Sequence, residues 1–163
     1  MNLHRLCDKI KYIFENVFEK GQIMNKKYLG VDFGDVRTGL ALSDIMGILA
    51  SGAGTLKGGF EKTALAVAEV AKKNSVSKII LGHPINMNGT LGERSEKIKA
   101  FAKRLEELTD IEVVLYDERL STANAHAILN ITNTRGEKRK SIIDEMSACL
   151  ILQSYLDREE KNG

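Results

Sequence analysis

Apolar residues recur along the first part of the chain at helical spacing and then at strand spacing. Leu3, Leu6, Ile10, Ile13, Phe14, Val17 and Phe18 follow one another by three or four positions, with Gly21 placed to end the helix they predict. From Lys27 the period becomes two: Leu29, Val31 and Phe33 share one face of a strand, and Tyr28, Gly30 and Asp32 the other. Gly34, Asp35 and Gly39 supply turn chemistry. Leu40, Leu42 and their neighbours then form a second strand, antiparallel to the first, and a third, Gly-rich strand follows near residues 48–56.

The remainder alternates between the two periods. Residues 60–74 read as a helix with Ala64, Leu65, Val67, Ala68 and Ala71 inward, and 78–81 as a short strand, apolar after Lys78, of the kind buried on both faces. Thr90 with Glu93 fits a capping box opening a helix to about Leu108, and the strand IEVVLY follows at 111–116. Ser121 opens a helix near 122–130; TNTRGEKRK, 132–140, reads as a polar loop. A last helix is predicted from Ile142 to about Asp157, with Ile143, Met146 and Leu150 inward. The order βββαβαβαα predicts an α/β fold: a mixed five-stranded sheet, with an antiparallel hairpin meander followed by βαβ crossovers, flanked by helices. Residues 1–24 form an amphipathic extension to a single domain, 25–163, with docking or disorder as its expected fate; Met24 opens MNKKYLG in the manner of a translation start, which would make the extension dispensable.

Composition adds mainly exclusions. The 163 residues, 43% hydrophobic and 28% charged with one proline, suit one soluble globular domain. With 24 basic against 22 acidic residues, any nucleic-acid surface must be a local patch. Cys7 and Cys149 stand far apart without a CxxC pair or a neighbouring His, so neither a zinc site nor a disulfide framework is indicated. No apolar stretch reaches the roughly 18 to 20 residues of a membrane span, and a cytoplasmic protein without a membrane partner is expected.

Three acids carry the chemistry. Asp is disfavoured in strands, and an ionised carboxylate inside a sheet costs several kcal/mol unless paired or metal-bound. Asp32 therefore needs a partner, either a salt bridge to Arg37 across the turn or a cation. In YDERLST, 116–122, Asp117 and Glu118 both follow a strand whose C-terminal end is where open α/β sheets place ligands. Parity does not choose between them, and helix capping is the structural alternative for both. Asp144 in SIIDEMSACLIL starts the last predicted helix, where Ser141 and Asp144 also fit a capping box. A hard divalent cation, Mg²⁺ or Mn²⁺, would unite the three, since such ions take oxygen ligands. Two ions about 4 Å apart would activate water and stabilise the departing oxygen of a phosphodiester.

GVDFGDVRTGLALSD, ILGHPINMNGT, YDERLST and DEMSACLIL, in this order, resemble the YqgF (RuvX) family of pre-16S rRNA processing nucleases, also described as Holliday-junction-resolvase-like proteins. The resemblance runs from about Lys26 to Leu156. It implies an RNase H-like fold and catalytic, metal-binding roles for Asp32, Glu118 and Asp144, and it selects Glu118 over Asp117. The chain departs from the family in its N-terminal helix, in Ser147 where Ala is common, and in His83 where an apolar residue is usual. Related resolvases often carry a fourth carboxylate a turn from the last Asp; Ser141 and Ala148 stand at such positions here, which makes junction cleavage the weaker branch.

Arg135, Lys138, Arg139 and Lys140 against Glu137 form a basic cluster suited to phosphates, with a solvated loop as the alternative. Arg37 either neutralises Asp32 or touches a phosphate, and Thr122 either caps a helix or binds one. Asn86 and Asn88 are expected to shape a turn, and His126 to pack or lie exposed. Aromatics at 6%, without Trp, argue for recognition through backbone and shape. The leading expectation is a metal-dependent nuclease on structured nucleic acid, pre-rRNA foremost, with ribosomal particles as partners and a monomer or weak homodimer as the acting form. Alternatives are a resolvase-like nuclease on branched DNA and a non-catalytic nucleic-acid-binding or ribosome-associated factor. VDFGDVRTG is also similar to the phosphate loop of sugar kinases and actin-like ATPases, but the second lobe those need is lacking in a chain this short.

Overall fold

The computed structural model describes residues 26–83, 92–117 and 137–162, with side chains in the last helix described from 139 to 161. The predicted helices at 1–24 and 122–130 lie outside the described residues. The elements are β1 (Tyr28–Asp32), β2 (Arg37–Ser43), β3 (Ala50–Lys57), α1 (Phe60–Lys73), β4 (Lys78–His83), α2 (Glu93–Thr109), β5 (Glu112–Asp117) and α3 (Glu137–Asn162). Five strands form one sheet in the order β3-β2-β1-β4-β5. β2 is antiparallel to β1 and to β3, whereas β4 is parallel to β1 and to β5. The mixed sheet expected from the sequence is therefore present.

Strand parity sorts the core into two layers. Leu29, Val31, Phe33, Leu40, Ile79 and Leu81 belong to a cluster with Ala64, Val67 and Ala71 of α1 and Ile98, Phe101 and Leu105 of α2. Phe33 stacks on Phe101, ring centroids 4.0 Å apart, and Phe60 meets both edge-on. Each buried side chain of this size stabilises the fold by about 1.5 to 3 kcal/mol. On the other face Tyr28, Ala41, Ile80 and Tyr116 pack against Ala148, Ile151, Leu152, Tyr155 and Leu156 of α3.

Small residues let α3 lie close to the sheet. A Cβ on Gly30 would come within 2.7 Å of Leu152 Cβ and 2.9 Å of the Ala148 carbonyl oxygen. A Cβ on Gly39 would overlap the Asp144 carbonyl oxygen, and one on Gly52 the Glu145 side chain. Gly39 is therefore a strand residue, paired with Asp32, rather than the turn residue that its place in the sequence suggests.

Two helix starts and one helix face differ from expectation. α3 starts at Glu137, inside the stretch read as a loop, because Glu, Lys and Arg are good helix formers and no Gly or Pro interrupts residues 137–162. Ser141 is consequently not a cap; its carbonyl accepts a hydrogen bond from Thr55 Oγ1 at 2.9 Å. The inward stripe of α3 is Ala148, Ile151, Leu152, Tyr155 and Leu156, while Ile143, Met146 and Leu150 are only partly buried. The N-cap of α2 is Gly92, without a side-chain cap, and Thr90 lies outside the described residues.

Two substitutions test this packing. Gly39→Ala must push the start of α3 off the sheet and is expected to cost about 3 kcal/mol, read as a lower denaturation midpoint. Thr38 is fully buried, and its Oγ1 has no hydrogen-bond partner among the described residues. Thr38→Val replaces an unsatisfied hydroxyl by a methyl and should raise stability by about 1 kcal/mol in the same measurement.

Candidate active site

Asp32 closes the central strand on the face that α3 covers, because it continues the parity of Tyr28 and Gly30. Its cross-strand partner Gly39 touches the backbone of Asp144, so the packing that requires a glycine brings the two acids together. The Asp32 carboxyl is raised from its ordinary 3.8 to about 6, by burial first, against the charge of Arg94; the neighbouring Asp144 charge contributes to the rise and a hydrogen bond from Ser147 opposes it.

Arg37, at the start of β2, is committed elsewhere. Its Nε donates to Asp144 Oδ2 at 2.7 Å, both side chains being about one-quarter exposed. The salt bridge considered for Asp32 thus forms with Asp144 instead. The guanidinium compensates one of two adjacent carboxylates and leaves Asp32 without a hydrogen-bonded cation among the described residues.

Of the other predicted residues, Arg139 and Lys140 lie exposed in the opening turns of α3, the end of the helix that carries Asp144. Lys138 belongs to the same helix. Glu118, Thr122 and Arg135 lie outside the described residues, as do Asn86, Asn88 and His126. Asp117 is placed: Val113 packs with the α1 and α2 layer while Val114 and Tyr116 pack with α3, so alternation puts Asp117 on the face away from Asp32. It pairs in register with His83. His83 is buried, with Nε2 2.6 Å from Ser95 Oγ, and its pKa is lowered by burial first and by the Lys99 charge second. This departure from the family pattern is satisfied inside the core, on the face opposite Asp32.

Two residues meet Asp32 that carried no functional assignment in the sequence. Ser147 lies one turn along α3 from Asp144, and a three-residue step from a candidate acid was the available signal. Arg94 approaches from α2, and its one signal is a cation in a first helical turn, where the helix dipole disfavours it.

The donor set fits a hard divalent cation. Asp32 and Asp144 present carboxylate oxygens, and a cation between them would relieve both the burial cost at Asp32 and the mutual repulsion. Among the described residues no group of three or more His, Cys, Asp or Glu gathers as a metal site. Two of the three predicted ligands are therefore brought together, and the third position lies outside the described residues.

A mixed sheet in this order, with an acid ending the central strand and a second acid on the helix across it, defines an RNase H-like domain. The chain matches the family model RuvX, described as Holliday junction resolvase, over residues 26–158, and it belongs to that family. A relative from Ruminiclostridium cellulolyticum is 43% identical over 134 residues, spanning 81% of this chain and 94% of the relative. One from Bacillus licheniformis is 46% identical over 134 residues, spanning 80% and 96%. Both bear the name "Putative pre-16S rRNA nuclease". Among solved structures, Thermus thermophilus RuvC in complex with a Holliday junction substrate is similar with a TM-score of 0.52 at 13% identity, covering 82% of this chain and 95% of that one. A second T. thermophilus RuvC structure matches equally, at 0.52 and 11% identity over 82% and 96%. At these identities the likeness concerns the fold.

The Asp32 environment sets a pH dependence. A folded pKa of about 6 against an ordinary 3.8 means that the folded state binds the proton more tightly, so ionisation of Asp32 opposes folding. The effect is absent below about pH 4, grows through the window up to about 6 and is constant above it, amounting to about 3 kcal/mol. Asp32→Asn should therefore raise the thermal midpoint of the cation-free protein at neutral pH and leave it nearly unchanged at pH values below the ordinary Asp pKa. Thermal melts across that range check both halves.

Proposed function

We propose that this chain is a divalent-cation-dependent endonuclease that hydrolyses phosphodiester bonds in structured nucleic acid, with the 5′ end of pre-16S rRNA as its substrate. The observation that carries the reading is the meeting of Asp32 and Asp144 where β1, β2 and α3 converge. A structural pair of acids would be expected to bond with cations on both sides; here Asp144 has Arg37, while Asp32 retains a raised pKa. Such perturbed carboxylates cluster at functional sites. The names of the relatives support nuclease chemistry and the rRNA precursor.

Asp32 and Asp144, with Glu118 as the third ligand implied by the family motif, would hold the cation, Mg²⁺ or Mn²⁺. That cation supplies a nucleophilic water at neutral pH and stabilises charge on the leaving oxygen. The rest belongs to the chain. The sheet fixes Asp32 rigidly, α3 delivers Asp144 to it, and Ser147 restrains the Asp32 carboxylate. Arg139 and Lys140, with Lys138, Arg135 and Thr122, would contact backbone phosphates beside the site, and Arg37 would follow once a cation takes over its role at Asp144. The chain would act in the cytoplasm on ribosomal precursor particles, as a monomer or weak homodimer.

The decisive assay offers purified protein a precursor rRNA 5′ end and a four-way DNA junction with Mg²⁺ or Mn²⁺. Cleavage of the rRNA precursor is expected, and it should fall by more than about a hundredfold in Asp32→Asn and Asp144→Asn, since loss of a metal ligand exceeds the 10- to 100-fold typical of the groups that orient ligands. Preferential cutting of the junction would transfer the substrate to branched DNA. Undiminished function in Asp32→Asn would favour a non-catalytic binding factor.

A further inference from the structure

At the end of β1, directly after Asp32, lies a cleft of about 290 Å³ lined by Phe33, Gly34, Asp35, Glu93, Arg94, Lys97 and Ile98. Its floor is apolar and its rim is charged. The charges are not equivalent. Lys97 is ion-paired with Asp35, so these two largely cancel. Glu93 stands in the first turn of α2, where a negative charge is favoured by the helix dipole. Arg94 stands in the same turn, where a positive charge is not.

Local stability therefore does not account for Arg94, and neither does pairing with a described residue. Lys97, Lys99 and Arg104 on the same helix each meet a carboxylate. Arg94 makes no hydrogen bond or ion pair with another described residue, so none of these occupies the donors of its guanidinium fork. The charge nevertheless reaches the site: it is the strongest charged influence on Asp32 and also acts on Asp35. An exposed guanidinium at the mouth of a cleft, without a partner among the described residues and close enough to act on the Asp32 carboxylate, matches a phosphate-binding group, because the two non-bridging oxygens of a phosphodiester accept from two of its N–H groups at once.

We propose that Arg94 binds a backbone phosphate of the nucleic-acid substrate, seating the strand across the cleft so that the neighbouring phosphodiester lies at Asp32 and Asp144. The proposal rests on the nuclease reading for its substrate class. It adds a contact from α2, on the side of Asp32 away from the basic start of α3, so the strand is held on both sides of the acids. A phosphate contact carries no base information, and the effect is therefore independent of sequence.

Binding without cleavage tests it. The full chain is titrated, in EDTA and at several salt concentrations, into a fluorescein-labelled single-stranded RNA and a labelled four-way DNA junction, with anisotropy as the readout. Arg94→Gln is expected to weaken binding about tenfold and to lower the slope of log affinity against log salt by about one, to the same extent for different RNA sequences. Arg94→Lys should restore the slope but not all of the affinity, because it keeps the charge and loses the fork. Arg104→Gln removes the same charge further along α2 and should change neither quantity appreciably. Thermal melts of each variant separate binding from folding. An unchanged salt slope in Arg94→Gln, or an equal loss in Arg104→Gln, overturns the assignment while leaving the nuclease reading intact. If the unmodified chain binds neither nucleic acid, both fall together.

Discussion

The close seating of α3 on the sheet is the constraint from which the rest follows. Gly30, Gly39 and Gly52 come from three adjacent strands, and a methyl group on any of them would meet α3. Helix positions 144, 148 and 152, one turn apart, sit over Gly39 and Gly30. The same contact that buries Ala148 and Leu152 therefore sets Asp144 beside the end of β1. An acid at the tip of a central strand and an acid on a helix are each ordinary. Here backbone packing fixes where the two stand relative to each other.

That arrangement stores an electrostatic cost. Asp32 is ionised at neutral pH only against burial and against the neighbouring Asp144 charge. Arg37 offsets the second carboxylate, and Ser147 and Arg94 partly offset the first. A divalent cation held between the pair would relieve this cost, so under the proposed function metal binding would also raise stability. In the structure Arg37 is the resident cation of Asp144; under the proposed function it would be released toward phosphate when a divalent cation takes its place.

The two faces of the sheet divide the work. The α1 and α2 face holds the aromatic stack of Phe33, Phe60 and Phe101 and absorbs the polar His83 through Ser95, so it is built for stability. The α3 face carries the acids. β1 belongs to both, with Phe33 anchoring the turn directly after Asp32 in the core beneath. The cleft opens at this junction, which is why a residue of α2, Arg94, can influence an acid on the opposite face.

Much of this was legible from the order of residues. The alternation of 28–33 assigned Tyr28, Gly30 and Asp32 to one face and Leu29, Val31 and Phe33 to the other, as the two clusters have it. The element order predicted the mixed sheet, and the oddity of a carboxylate in an apolar strand marked Asp32. Other features were hidden because they depend on what lies opposite. Gly39 reads as a turn residue until α3 is seen above it, and the start of α3 was masked by polar residues that favour helix as readily as loop. Arg37 is close to Asp32 in sequence yet bonds Asp144, 107 positions away. Strand parity did not choose between Asp117 and Glu118, and only packing shows that Asp117 lies on the face of β5 away from α3. Periodicity is local and encodes which face of an element is buried; the partner across that face is chosen by folding, so the chain by itself determined the strands and the acid, and tertiary structure alone decided its neighbours.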